Sequence, residues 1–217
     1  MPTRPAAQKA ANPRQPRPKR PYHHGDLRAA LIDAALLLIA EHGVQGLALS
    51  DAARLAGVSV AAPYRHFKDK ETLLAEIAKE GFVMFRDALA LAARSHPQDK
   101  RQRLEEMGVA YVEFALAHRS HFKVMWEGGI SKAKFPELGQ TAYQAFLLLE
   151  TAAIDLIDQL PGPRPARQQA LVCAAWSVAH GYATLTLEHE LDVVAPEQTG
   201  QKLLRQTLHL LLDQFAP

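Results

Sequence analysis

The sequence predicts an all-α chain in which a small three-helix unit near the N-terminus is followed by a larger helical bundle. Three observations carry this expectation. Apolar residues recur at helical spacing from Gly25 onward, while period-two alternation is nowhere sustained. Glycine and proline cut the chain into helix-length pieces at Gly43, Gly57, Gly128-Gly129, Pro161-Gly162-Pro163 and Pro196. The 217 residues are 48% hydrophobic, enough for a buried core.

The first helix is read from Leu27, Leu31, Ala34, Ala35 and Leu38, with His42-Gly43 as its stop, since glycine accepts the left-handed conformation at a helix end. Val44 and Leu47 plug the space beneath it. The segment Ser50 to Ala56 is too short to hold as a lone helix, so it belongs to a compact unit. After Gly57, Ser59 is positioned to cap a third short helix from Val60 to Phe67. Asp69 is positioned to cap a long helix starting at Lys70, with an apolar face of Leu74, Ile77, Ala78, Phe85, Leu89 and Ala92 that carries it out of the first unit into the second. Further helices are expected at 101–119, 120–127, 136–160, 164–189 and 196–215. The boundaries read as an arm over 1–24, a first domain over 25–72 and a second over 73–217.

Charge is unevenly placed. Residues 1–24 carry six basic side chains and no acid, leaving 19 basic and 23 acidic on the rest of the chain. Six prolines keep this arm out of a helix, so it is read as a disordered basic extension, which either only solubilises the chain or tracks nucleic-acid phosphates. One cysteine, Cys173, excludes an internal disulfide, and no CxxC pair suggests zinc. No leader-like segment and no stretch of bilayer-spanning length is read, so a cytoplasmic protein is expected. Neither GxSxG, HExxH nor a glycine-rich phosphate loop occurs, and an enzyme is not expected.

The most specific signal is "LSDAARLAGVSVAAPYRHFKDKETLL", residues 49–74. Two short helices that cross at a steep angle need a small residue at the crossing and a strain-free turn, and Ala53 and Gly57 fit those places. Val58, Tyr64 and Phe67 are expected to anchor the second helix. These residues, with Ser59, His66, Lys70, Leu73 and Leu74, resemble the signature of the tetracycline-repressor (TetR) family of regulators over about residues 25–75. The resemblance implies that Tyr64 and Lys70 touch DNA phosphates with His66 near them, and that Val60, Ala61, Ala62 and Arg65 face the major groove. Ser50, Ser59 and Lys68 complete the candidate DNA-contact set. Many relatives place a hydroxyl at Ala48 to cap the second helix; here Ser50 is the nearest, leaving that helix start open by two residues.

Residues 25–70 balance five basic against five acidic side chains, so attraction to DNA must come from clustering at Arg65, Lys68 and Lys70, and from the arm. Val60, Ala61 and Ala62 offer only methyl contacts, and Arg65 alone can fork onto a guanine.

In the second domain "AAWSVAHGYATL" (174–185) resembles the Trp-His-Gly motif of one TetR subgroup; Trp176 and His180 share a helical face, and Gly181 permits close helix approach. His180 is read first as a hydrogen-bonded core histidine, then as a ligand contact and last as part of a metal site. Tyr111, Phe114, Phe122, Trp126, Tyr143, Phe146, Trp176 and His180 are the candidate ligand-lining residues. His118 and His121, three apart, are read as exposed rather than metal-bound, and no cofactor or metal is expected. Ala174, Ala175, Ala179, Gly181 and Ala183, with Leu204, Leu208, Leu211, Leu212 and Phe215, form candidate surfaces on the last two helices, which the resemblance implies build a homodimer. The function so implied is a ligand-responsive repressor of a palindromic operator, released by a small hydrophobic effector that favours a different spacing of the DNA heads; a ligand-independent dimeric DNA-binding protein is the alternative.

Overall fold

A computed structural model describes residues 27–158, 164–193 and 201–213. Among them are eight α-helices and no strand: α1 Leu27–His42, α2 Leu49–Leu55, α3 Lys70–Ser95, α4 Lys100–Ala117, α5 Arg119–Glu127, α6 Pro136–Ile157, α7 Arg164–Leu187 and α8 Gln201–Asp213. The basic arm, the Pro161–Pro163 break, Pro196 and Phe215 lie outside the described residues.

The predicted punctuation has direct physical causes. Gly43 (φ +71°) follows α1 and donates to Ile39 O at 2.9 Å. At the end of α2, Val58 N–H reaches Ala53 O (3.0 Å) and Gly57 N–H reaches Arg54 O (3.1 Å), a Schellman closure that needs the positive φ of Gly57 (+72°). Asp69 caps α3, its carboxylate accepting from Thr72 N and Thr72 Oγ1, each at 2.8 Å. Those bonds hold the Asp69 carboxyl below its usual range.

Helix α2 starts at Leu49, one residue before the expected Ser50, and its N-cap Ala48 makes no side-chain bond. Ala48 already has the extended backbone of a cap (φ −123°, ψ 142°). Ala48→Ser should therefore stabilise the protein by about 1 kcal/mol, raising Tm by about 2–4 °C in a thermal melt.

The third helix departs from expectation. The α-helix read over Val60–Phe67 is instead a turn followed by a 3₁₀ turn, Ala62–Arg65. Pro63 is the cause: it has no N–H to offer and disfavours α geometry at Ala62. Ala62 N–H bonds Ser59 O and His66 N–H bonds Pro63 O, three residues apart and both 2.9 Å, and a single four-residue bond, Phe67 N–H to Pro63 O at 2.9 Å, ends the segment. Ser59 thus serves through its carbonyl rather than as a hydroxyl cap. Tyr64, expected as an anchor, is 58% exposed; Pro63 and Phe67 are the buried members.

One continuous core runs from Leu31 in α1 to Leu212 in α8. Helix α3 carries it across the domain boundary: Leu73, Leu74, Ile77 and Ala78 are buried near the head, and Phe82, Phe85 and Leu89 in the bundle. Helices α4, α5 and α6 pack on α3, and α7 and α8 close over α4. Residues 165–187 of α7 do reach bilayer-spanning length and apolarity, contrary to expectation, with Leu171, Ala175, Ala179, Tyr182, Ala183 and Leu187 buried in the chain.

The last two helices use their stripes differently from the reading above. Leu204, Leu208 and Leu212 are buried inside the subunit, as are Ala175, Ala179 and Ala183. Leu208 lies against Gly108 of α4, where an added Cβ would come within 2.8 Å of it. These residues are core, not a free surface. Gly181 is approached by nothing within 4 Å. Periodicity marks a face as apolar; it does not say whether the covering partner is in the same chain.

Candidate DNA interface and effector cavity

The short helix α2 and the 3₁₀ turn are held by buried residues on their inner side: Ala52, Ala53, Pro63 and Phe67 are almost fully enclosed. Their outer side presents Ser59, Val60, Ala61, Tyr64, Arg65, His66 and Lys68 as one exposed run, with Ser50, Ala62 and Lys70 half-exposed at its edges. Lys70 Nζ bonds Gln45 O at 3.0 Å, tying the start of α3 to the α1–α2 loop.

The formal neutrality of the head resolves into an uneven field. Arg28 pairs with Glu76, its guanidinium 5.7 Å over the Phe67 ring, and Arg54 pairs with Asp51. Arg65 and Lys68 have no ion pair among the described residues, so net positive charge gathers on the exposed run. This is the arrangement that phosphate attraction requires.

In the bundle, a cavity of about 440 Å³ lies between α3, α4, α6, α7 and α8, within the size range of small-molecule sites. Of the residues expected to line it, Tyr111, Trp126, Tyr143, Phe146 and Trp176 do so; Phe114, Phe122 and His180 do not. Phe114 borders a separate surface depression with His118. His180 stands behind the wall, its Nδ1 2.8 Å from the Tyr111 hydroxyl. Sequence reasoning missed Phe82, Phe85, Met107 and Leu149, which carry no signal distinguishing lining from filling, and Lys132, which sits in a loop without periodicity.

His118 and His121 are half-buried rather than exposed, their rings 6.1 Å apart, and no group of metal-binding side chains forms among the described residues.

Burial pushes the Tyr111 phenol well above its ordinary range, a hydrogen bond from Trp176 offsetting only part of this. Burial also lowers the pKa of His180, and that of His121, where His118 adds to the effect. Below pH 6.5 the unfolded chain therefore takes up protons that the folded chain resists, so stability falls as pH drops from 6.5 through the lowered folded values. Urea melts between pH 7.5 and 5 should show this loss, and His180→Gln should flatten part of it. An unchanged slope in that variant would place the effect elsewhere.

A short helix packed against a 3₁₀ turn, with an exposed, cation-bearing outer run and mounted on a helical bundle, defines a helix-turn-helix DNA-binding protein. The chain belongs to the TetR family of transcriptional regulators: residues 31–77 match the family described as "Bacterial regulatory proteins, tetR family", and residues 104–211 match "Tetracyclin repressor-like, C-terminal domain". It is 29% identical to the HTH-type transcriptional regulator BetI of Cronobacter sakazakii over 190 residues, 87% of this chain and 88% of that protein. The BetI of Agrobacterium fabrum is 43% identical over 75 residues, 34% of this chain and about a third (36%) of that protein's length. Among solved structures, a Rhodococcus sp. RHA1 protein of unknown function superposes with TM-score 0.70 at 29% identity, over 91% of this chain and 97% of that one. The TetR family regulator PfmR of Thermus thermophilus superposes with TM-score 0.62 at 19% identity, over 84% and 97%, a likeness of fold.

Proposed function

We infer that this DNA-binding regulator is a non-enzymatic cytoplasmic repressor that holds a palindromic operator as a homodimer and releases it when a small hydrophobic effector enters the bundle cavity. The observation that carries this reading is the course of α3. Its first turn is tied to the head by the Asp69 cap and the Lys70–Gln45 bond, and its later residues Phe82, Phe85 and Leu89 line the cavity. Occupancy of the cavity and aim of the head thus bear on one rigid element, the condition for an effector to shift the population.

The DNA contacts proposed are Ser50, Ser59, Val60, Ala61, Ala62, Tyr64, Arg65, His66, Lys68 and Lys70, all on or beside the exposed run. The basic arm adds phosphate contacts. The domains divide at about residue 72, with the head before it and the ligand-binding and dimerisation bundle after it. Convergence of Trp176 and His180 on Tyr111 supports membership of the Trp-His-Gly subgroup. Dimerisation is assigned to the faces of α7 and α8 that the subunit leaves uncovered, including Cys173, Ser177, Gly181, Leu185 and Leu210.

The test starts with an operator selected from random duplexes by the purified protein. Fluorescence anisotropy should then show dimer-stoichiometric binding that weakens steeply with salt, and loss of residues 1–20 should flatten the salt slope. Added effector should dissociate the complex. A chain that selects no duplex at low ionic strength would sink the reading; one that selects DNA but answers to no metabolite would leave the ligand-independent alternative.

A further inference from the structure

We propose that the bundle cavity takes amphiphilic monoanions, an apolar body among its aromatic rings with a carboxylate drawn to Lys132 at the mouth. It rests on the cavity being the effector site, as inferred above.

The lining is apolar except at one end. Among the described residues no acidic side chain borders the cavity, and Lys132 is its single charged member. Its ammonium lies 5.5 Å over the Phe82 ring, and its loop abuts α6, where a Cβ on Gly139 would meet Lys132 O at 3.3 Å. The neighbouring lysines are already satisfied: Lys79 pairs with Glu137, and Lys134 with Glu71. Lys132 has no ion pair among the described residues. An unpaired ammonium beside an apolar chamber lacks a counter-charge that a ligand can supply.

A second donor borders the same ring. Trp126 packs 5.6 Å from Phe82 as well as against Trp176 and His180, and its indole nitrogen is buried without a hydrogen-bond partner among the described residues. Tyr111, by contrast, is engaged by His180 and Trp176, so that wall offers no free hydroxyl. The polar needs of the cavity are those of donors seeking an acceptor: Lys132 and Trp126, both of which border the Phe82 ring. Aromatic walls also suit cations, but here a bound cation would face Lys132 with no carboxylate to offset it.

Three probes with the same tail separate these cases: decanoate, decan-1-ol and decyltrimethylammonium. Both tryptophans of the chain, Trp126 and Trp176, line the cavity, so intrinsic fluorescence reports occupancy directly. Decanoate should bind tightest in the full-length protein, by about twofold to fivefold over decanol, as expected for an ion pair near solvent, and added salt should narrow the gap. Lys132→Met should abolish the preference by weakening decanoate relative to decanol, Lys132→Arg should keep it, and Lys132→Glu should invert it toward the ammonium. Equal binding of the three probes, tightest binding of the ammonium, or a carboxylate preference that survives Lys132→Met would overturn the head-group assignment and leave the cavity reading intact. Silence of the tryptophans to all three would remove both.

Discussion

Ala53→Leu is expected to abolish operator binding, by at least about a hundredfold, while the bundle stays folded. Ala53 is completely buried where α2 meets the turn to the DNA-facing segment, and its carbonyl receives the Val58 N–H that closes that turn. Three extra carbons at a crossing with no free space force the two short elements apart, at a cost of about 1–3 kcal/mol. The stability loss is tolerable, but the displacement moves Tyr64, Arg65 and Lys68 off the geometry of the groove. Anisotropy with the selected operator measures the loss, and circular dichroism with a thermal melt checks the fold. Retained binding in a folded variant would show that the crossing does not aim the recognition surface.

Arg65→Ala is expected to erase sequence discrimination more than affinity. Arg65 is exposed beside Tyr64 and free of ion pairs among the described residues, and its neighbours Val60, Ala61 and Ala62 have no side-chain donors. A guanidinium forked on guanine contributes about 1–3 kcal/mol of discrimination, which corresponds to a fall of about fivefold to 150-fold in the ratio of operator to random-duplex affinity. Random DNA should lose only the share of one phosphate-range charge. Competition titrations against both duplexes separate the two; equal losses on each would mean that Arg65 acts as a general cation and that shape carries the readout.

The 3₁₀ geometry bears on both results. A 3₁₀ segment of four residues is shorter than the α-helix its spacing suggested, and it exposes Tyr64 where an anchor was expected. Proline at position 63 was legible in the chain, and its missing N–H is the reason. Its consequence for Tyr64 was not legible, because the buried role passed to Pro63 itself.

By itself the sequence determined the order of the described helices, the glycine turns after α1 and α2 and the Asp69 cap, because these depend on bonds and sterics within a few residues. Tertiary structure alone decided which apolar stripe is core and which is surface. Leu204, Leu208 and Leu212 proved to be buried against their own subunit. It alone drew Tyr111, Trp176 and His180 together from two distant helices and set Lys132 over Phe82 at the mouth of the cavity. Hydrophobicity has no direction, so a chain can state that a face must be covered without stating by what, and a cavity exists only where several helices fail to fill the space between them.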